Sequence, residues 1–340
     1  MLRRNGEVPR VAATIKDVAA LAGVSISTVS LAINGSNRVR PETRERVLAA
    51  ADQLEFVPRT EAVARARRGV RRIGVMAPFT SYPTFARRLE GVLLALRDHG
   101  WEVVVFDQES AASALPTLAS IPLTNKLDGL LVMSLPIDDA TARRLLRQNL
   151  ATVLVEAART GFSSVGIDHA EGGRLAAGLL LERGHTRFAF IGERKLTSDV
   201  VLPPESRLSA YRETLRIAGY PLEDQRIITV PHQLEAARQA AVELLSSEPR
   251  PTAVFAQDDL LAAGVLKAAR ERDLRIPEDL AVIGFDDGDV AEALGLTTIR
   301  QPLLESGEVA ARTLVAQLGN PDRSLQEITL KLTLVERATT

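Results

Sequence analysis

The chain has 340 residues, 46% hydrophobic and 25% charged, enough for two or three packed domains of ordinary globular composition. It has no cysteine, which excludes disulfides, thiolate nucleophiles and cysteine-ligated metals and fits a reducing compartment. The net charge of -1 conceals an asymmetry: residues 1–72 carry 14 Lys/Arg against 7 Asp/Glu, or +7, while the remainder carries 28 against 36, or -8. A basic head on an acidic body suits a head that meets phosphates. MLRRNGEVPR at the N-terminus lacks the apolar core of a signal peptide, and no apolar run approaches the ~20 residues of a membrane helix. A cytoplasmic location with no membrane partner is expected.

In chain order, TIKDVAALAGVSISTVSLAIN (14–34) reads as two short helices around a tight turn. Thr14 and Asp17 form a capping-box pattern, and Ile15, Val18, Ala19 and Ala22 share one face. Gly23 suits a left-handed stop. Ser25 can cap the second helix, whose inward face carries Val29, Ala32 and Ile33. The pattern is a helix-turn-helix, which lays its second helix in the DNA major groove, or an ordinary helical hairpin inside a larger core. A third helix is predicted from Pro41 to about Leu54, with Val47, Leu48, Ala51 and Leu54 available for packing and Phe56 and Val57 closing the unit. Pro58 ends it. RTEAVARARRGVRR follows as a linker whose arginines, including Arg65, Arg67, Arg68, Arg71 and Arg72, repel one another until phosphates neutralise them. It is expected to be frayed when free and helical on DNA, or else to be a simple charged tether.

From Ile73 onward short apolar runs alternate with amphipathic helices. The strands are 73–77, 102–107, 129–134, 152–157, 163–168, 188–193, 226–230, 253–257 and 281–286. LTTIRQ (296–301), a helix at 303–318 and ITLKLTLVE (328–336) complete the chain, and KLTSDVVLPPESR reads as a loop over a cleft. Apolar strands in βα repetition indicate parallel sheets covered on both faces, too many strands for one sheet and hence two α/β lobes. The four histidines, His99, His169, His185 and His232, have no metal-ligand spacing. His185 follows a helix-ending glycine, where a cation suits the helix dipole. No phosphate-binding glycine motif or nucleophile–base arrangement is present, so no enzyme activity, catalytic residue, cofactor or metal is expected. A solute-binding protein for transport would explain the body but not the basic head.

TIKDVAALAGVSISTVSLAINGSNRVRPETRERVLAAADQLEFVP resembles the head of the lac repressor (LacI/GalR) family. SVGIDHAEGGRLAAGLLLERGHTRFAFIGE, SRLSAYRETLRIAGY, PTAVFAQDDLLAAGVLKAARERDLRIPEDLAVIGFDD and LTTIRQPLLESG resemble its body in the same order. The resemblance covers essentially the whole chain. It implies an all-α helix-turn-helix head (1–58), a hinge linker (59–72) and a two-lobed α/β, periplasmic-binding-protein-like effector domain (73–340). The N-lobe is expected at about 73–168 and 299–327, and the C-lobe at about 169–296 and 328–340. It also implies a homodimeric repressor on near-palindromic double-stranded operator DNA, because two-fold protein symmetry demands two-fold DNA. No leucine-heptad tail follows 328–336, which favours a dimer over a tetramer.

By the same resemblance, DNA contacts fall to Thr14, Ser25, Ile26, Ser27, Thr28, Ser30, Leu31, Asn34, Arg59 and Arg65. Leu31 stands where arginine is common. It offers a thymine methyl only apolar contact, unless it packs into the head's own core. Arg65 stands where a minor-groove leucine wedge is usual, so a kink is in doubt and an electrostatic contact takes its place. Effector contacts are expected from Tyr82, Phe85, Glu156, Arg207, His232, Gln257 and Asp286, with Glu156 and Gln257 each one methylene longer than the usual residue. The aromatic rings would cover the apolar face of a sugar, and carboxylates with a guanidinium would hold vicinal hydroxyls. Equally, Glu156 and Asp286 could be helix caps and Arg207 a structural ion-pair partner. The effector implied is a small sugar, with a nucleoside as the alternative. Arg65→Ala is expected to weaken operator binding and to reduce the salt slope by about one phosphate contact, measured by titration across salt. Unchanged affinity and slope would remove that role from Arg65.

Overall fold

The computed structural model describes residues 13–34, 38–56, 71–124, 126–194 and 204–340. Among its described residues the head has three helices. In α1 (Ile15–Ala22) the Thr14 hydroxyl accepts from the Asp17 amide while the Thr14 amide donates to Asp17 at 2.7 Å, and Gly23 ends the helix at φ 64°. The Ser25 hydroxyl caps α2 (Ile26–Ile33) by accepting from the Thr28 amide at 3.1 Å. Pro41 opens α3 (Pro41–Gln53), where its missing N–H is no loss. Val18, Ala22, Val29, Ile33, Val47 and Phe56 form the head core, so the inward face read from the sequence is the buried one.

The body begins with β1 (Arg71–Ala77), α4 (Pro83–Leu96), β2 (Trp101–Asp107), α5 (Ala111–Thr124), β3 (Gly129–Met133), α6 (Asp139–Arg147), β4 (Ala151–Val155) and β5 (Ser163–Ile167). Next come α7 (His169–Glu182), β6 (Phe188–Glu193), α8 (Pro204–Ile217), β7 (Ile227–Val230), α9 (Leu234–Ser246), β8 (Ala253–Ala256), α10 (Asp259–Glu271), β9 (Ala281–Asp286), α11 (Asp289–Leu294) and β10 (Thr297–Arg300). The chain returns through α12 (Leu303–Gly319) and β11 (Glu327–Leu330) and ends at β12 (Thr333–Val335). Two sheets result, ordered β11-β5-β4-β3-β1-β2 and β12-β10-β9-β8-β6-β7, so the chain crosses between lobes three times. The first sheet is all parallel, and in the second only β12 runs antiparallel. Each lobe repeats the doubly wound order, in which ligands bind beyond the carboxyl ends of the strands. Among the described residues no single helix is long and apolar enough to cross a membrane.

The sheets divide the chain a few residues from the expected points. ITLKLTLVE is two strands in different sheets, broken at Lys331–Leu332, so β11 extends the N-lobe to Leu330 and β10 keeps Thr297–Arg300 in the C-lobe. Both end strands are half exposed, so their alternation runs on across the break and conceals it. Arg71 and Arg72 are not linker residues: they open β1, Arg72 pairing with Glu102 at 2.7 Å and Arg71 lying over the Trp101 ring. The linker at 57–70, with Val57, Arg59 and Arg65, and residues 195–203 of the expected cleft loop lie outside the described residues, while the last residues of that stretch, 204–207, are not loop but open α8. His185 is no helix-end cation. Partial burial holds its imidazole below the ordinary histidine value, and Nδ1 meets the Thr252 hydroxyl at 3.2 Å.

The head is seated on the N-lobe. Ala119 and Leu123 of α5 complete the head's own apolar cluster. Arg144 of α6 donates to both carboxylate oxygens of Asp52 at 2.8 and 2.7 Å, and Gln148 donates to the Phe56 carbonyl at 3.0 Å.

Two helix pairs set the cleft. Where α4 crosses α12, a Cβ on Gly307 would lie 1.9 Å from the Arg88 carbonyl oxygen. Where α7 crosses α8, a Cβ on Gly173 would lie 2.2 Å from that of Arg207. Glycine therefore lets each helix bring one arginine to the inner wall. Gly307→Ala is expected to destabilise by about 1–3 kcal/mol in urea unfolding through overpacking. Gly178→Ala, exposed within α7 with nothing within 4 Å of its Cβ, is expected to stabilise by up to ~1 kcal/mol.

Candidate functional site

The interlobe cleft is lined from both sheets by residues at or just beyond strand ends, including Ser134 after β3, Glu156 after β4, Glu193 ending β6, Gln257 after β8, Asp286 ending β9 and Gln301 after β10. Tyr82 enters from the position just before α4, Phe85 and Arg88 from its first turns, and Arg207 from α8. Three of these strand ends hold non-glycine residues at positive φ: Ser134 at 53°, Glu156 at 54° and Asp286 at 109°. Such backbone costs about 1–3 kcal/mol each and gathers at ligand sites.

A buried charge relay joins the lobes. Arg88 donates to Glu156 Oε1 and Gln301 Oε1, each at 3.0 Å, and to the Ser306 hydroxyl at 3.2 Å. Glu156 Oε2 meets His169 Nε2 at 2.8 Å, and Arg207 Nε donates to His169 Nδ1 at 3.0 Å. The arginine has no lone pair to offer, so Nδ1 accepts, Nε2 carries the proton, and the imidazole is neutral. Burial holds His169 below its ordinary value, with the Arg207 charge in support and the Glu156 contact opposing. Burial would raise Glu156, but the His169 hydrogen bond and the Arg88 charge hold it below the ordinary glutamate value. Arg207 is buried, donates to the Gln257 carbonyl at 2.9 Å and lies 3.5 Å over the Phe285 ring.

The far side of the cleft is acidic. Burial raises Asp286 despite the Arg207 charge, and Gln301 donates to its Oδ1. Burial also raises Glu193. Its Oε1 accepts from the Tyr82 hydroxyl at 2.8 Å, while its Oε2 is buried with no hydrogen-bond partner. Burial would lower His232, but its 2.9 Å contact with Asp258 and the nearby Glu193 and Asp286 charges raise it.

Six of the seven expected cleft residues line one pocket: Tyr82, Phe85, Glu156, Arg207, Gln257 and Asp286. His232 stands behind them, its ring 5.0 Å from that of Tyr82. Phe85 is 3% exposed and serves the N-lobe core as well. Glu156 and Asp286 are not helix caps. Arg207 engages His169, the Gln257 carbonyl and Phe285 rather than a carboxylate in direct contact. Sequence reasoning missed Arg88, Ser134, His169, Glu193, Asp258 and Gln301. The strand-end rule that selects Glu156 also selects Glu193. Arg88 was visible as a charge beside Leu89 and Val92 near the apolar stripe of its helix. His169 has no metal-ligand spacing, and nothing else in the sequence around it marks its place between Glu156 and Arg207.

On the head, Ile26, Ser27, Ser30 and Leu31 form an exposed strip of α2, with Ile26 and Leu31 45% and 40% exposed. Leu31 is therefore not a core residue. The Ser25 hydroxyl is committed to the helix cap and to the Ser27 and Thr28 hydroxyls, and Asn34 folds back to the Ser30 carbonyl at 2.8 Å. Thr14 is likewise engaged with Asp17.

His169 makes the relay sensitive to acid. Its folded pKa is depressed, so the unfolded chain binds the proton first. The stability it contributes is complete above about pH 6.5 and is lost as pH falls through the folded value. His169→Gln keeps a donor and an acceptor but does not titrate. The difference in unfolding free energy between wild type and this variant is expected to shrink from about pH 7.5 to about 5.5 in urea titrations, and a constant difference would refute the assignment.

Residues 14–59 match the model for bacterial regulatory proteins of the lacI family, and residues 177–340 match a periplasmic binding protein-like domain. The chain is 33% identical over 334 residues to the HTH-type transcriptional repressor PurR of Erwinia tasmaniensis, covering 96% of both. It is 32% identical over 331 residues to the ribose operon repressor of Escherichia coli K12, covering 96% of this chain and 99% of that one. A solved complex of the transcriptional regulator CelR with cellobiose is 31% identical, with a TM-score of 0.70 over 96% of this chain and 100% of that one. A LacI-family regulator from Enterococcus faecium with bound ribose is 25% identical, with a TM-score of 0.69 over 79% of this chain and 98% of that one. A helix-turn-helix head on a two-lobed body, with relatives above 30% identity across nearly its whole length, places this chain in the LacI family of DNA-binding transcriptional regulators.

Proposed function

We propose that this protein is a cytoplasmic homodimeric repressor of a near-palindromic operator, controlled by a small, neutral polyhydroxyl effector of the sugar class. Base contacts fall to the exposed strip Ile26, Ser27, Ser30 and Leu31, whose outer side chains are two hydroxyls and two apolar groups. The observation that carries the effector reading is Glu193 Oε2, a buried acceptor without a partner on the wall of a cleft that also holds Glu156, Asp258 and Asp286. A hydroxyl donor satisfies that oxygen, whereas a phosphate or carboxylate would meet surplus negative charge. The cellobiose and ribose bound by the two solved relatives belong to the same chemical class.

Regulation follows from linkage. An effector that favours one relative orientation of the lobes alters operator affinity by about 5–150-fold, corresponding to a coupling of roughly 1–3 kcal/mol, and DNA alters effector affinity by the same factor.

Glu193→Gln tests the reading because its two effects have opposite signs. Replacing a carboxylate whose Oε2 is buried without a partner is expected to raise the melting temperature without ligand. Sugar affinity is expected to fall at least ~10-fold as a charge-assisted hydrogen bond is lost. Thermal shifts with ribose and cellobiose and gel shifts on the gene's upstream DNA read both. No stabilisation by any member of a sugar panel would overturn the effector class, and no DNA retardation would overturn the regulator.

A further inference from the structure

We propose that the N-lobe carries the head as a docked module through a platform on α5 and α6, so that lobe movement reaches DNA by this contact as well as through the linker. The inference rests on the DNA-binding role proposed above. The contact has the character of a domain interface rather than a chance touch. Ala119 and Leu123 are 8% and 4% exposed because they complete the head core. A head of some 45 residues buries too little apolar surface to be secure alone, and the platform enlarges its core.

Polar groups then fix the register. The Arg144 side chain is 8% exposed and grips Asp52 in bidentate fashion, and Arg147 donates to the Asp52 carbonyl at 3.3 Å. Gln148 holds the Phe56 carbonyl, the last described group before the linker. A planar two-point pair fixes direction as well as distance. Docking leaves the outer strip of α2 free: Ile26, Ser27, Ser30 and Leu31 remain exposed while Val29, Ala32 and Ile33 face inward. The platform therefore presents the recognition strip rather than covering it.

The other end of α6 is tied to the cleft. Ser134 and Glu156 line the cleft, and the chain beyond Ser134 reaches α6 within five residues. Beyond Glu156, Arg159 donates to the Ile137 carbonyl at 2.7 Å and pairs with Asp139 at the start of the helix. One rigid helix of 9 residues thus has the cleft rim at its N-terminus and the head at its C-terminus. A tilt of α6 moves both.

The absence of native cysteine makes the test clean. Spin labels on Leu21→Cys in the head and Arg143→Cys on α6, with labelled chains diluted into unlabelled protein, are expected to give one narrow distance. Arg144→Ala should broaden it, and a broad wild-type distribution would overturn docking. On the gene's upstream DNA, Arg144→Ala and Asp52→Asn are each expected to weaken binding at least ~10-fold, with the double variant no weaker than either single one. At saturating DNA, amide exchange across 134–161 should change in wild type and not in Arg144→Ala. Unchanged or tighter DNA binding by the single variants overturns the platform alone, and unchanged exchange in wild type overturns the α6 route. Failure of wild type to retard DNA overturns the DNA-binding reading and the platform's role with it, whatever the label distances.

Discussion

The structure turns on a neutral histidine held between two buried charges of opposite sign. His169 donates a hydrogen bond to Glu156 of the N-lobe side and accepts one from Arg207 of the C-lobe, so one imidazole completes a chain from lobe to lobe. Burying a carboxylate and a guanidinium is expensive unless each is met by groups that satisfy its lone pairs or protons. Arg88, Gln301 and Ser306 do this on one side, and the Gln257 carbonyl and the Phe285 ring on the other. Removing Arg88 or Glu156 leaves the other's charge stranded, and the remaining members satisfy the donors and acceptors around that pair, so the cleft is one network rather than a set of separate contacts.

That network depends on backbone packing outside it. Arg88 and Arg207 sit at matching places in the two lobes, each on the first helix after its lobe's first strand and each with its carbonyl pressed against a glycine of a neighbouring helix. The doubly wound order then delivers carboxylates and amides at the strand ends opposite. Positive φ at Ser134, Glu156 and Asp286 completes the geometry. Strain, close helix crossing and buried charge thus meet at one place, as expected where a fold gives up stability for a site.

The head follows a different logic. Its helices are short, its core small, and its caps local: Thr14 with Asp17, Ser25 with Thr28, and Gly23 at the turn. Its seat on α5 and α6 adds apolar cover and a directed ion pair. The cleft and the recognition strip are therefore joined by packed secondary structure as well as by the linker.

Local patterns were enough to read the head from sequence. Caps, a glycine stop and 3.6-residue periodicity act within a few residues, so Thr14, Gly23, Ser25, Val29 and Ile33 announce their roles unaided. The two-lobed plan was also legible, because buried parallel strands form apolar runs that stand out from the helices between them. Glu156, Gln257 and Asp286 were legible for the same reason: each closes such a run. What sequence did not determine depends on partners distant along the chain. Arg88 is known to face Glu156 and Gln301 only once α4 and α12 are packed, 68 and 213 residues separating it from those partners. The split of ITLKLTLVE between two sheets, the neutral state of His169 and the grip of Arg144 on Asp52 likewise arise from groups brought together by folding. Periodicity records which way a side chain faces along its own element, and tertiary packing alone decides what it faces.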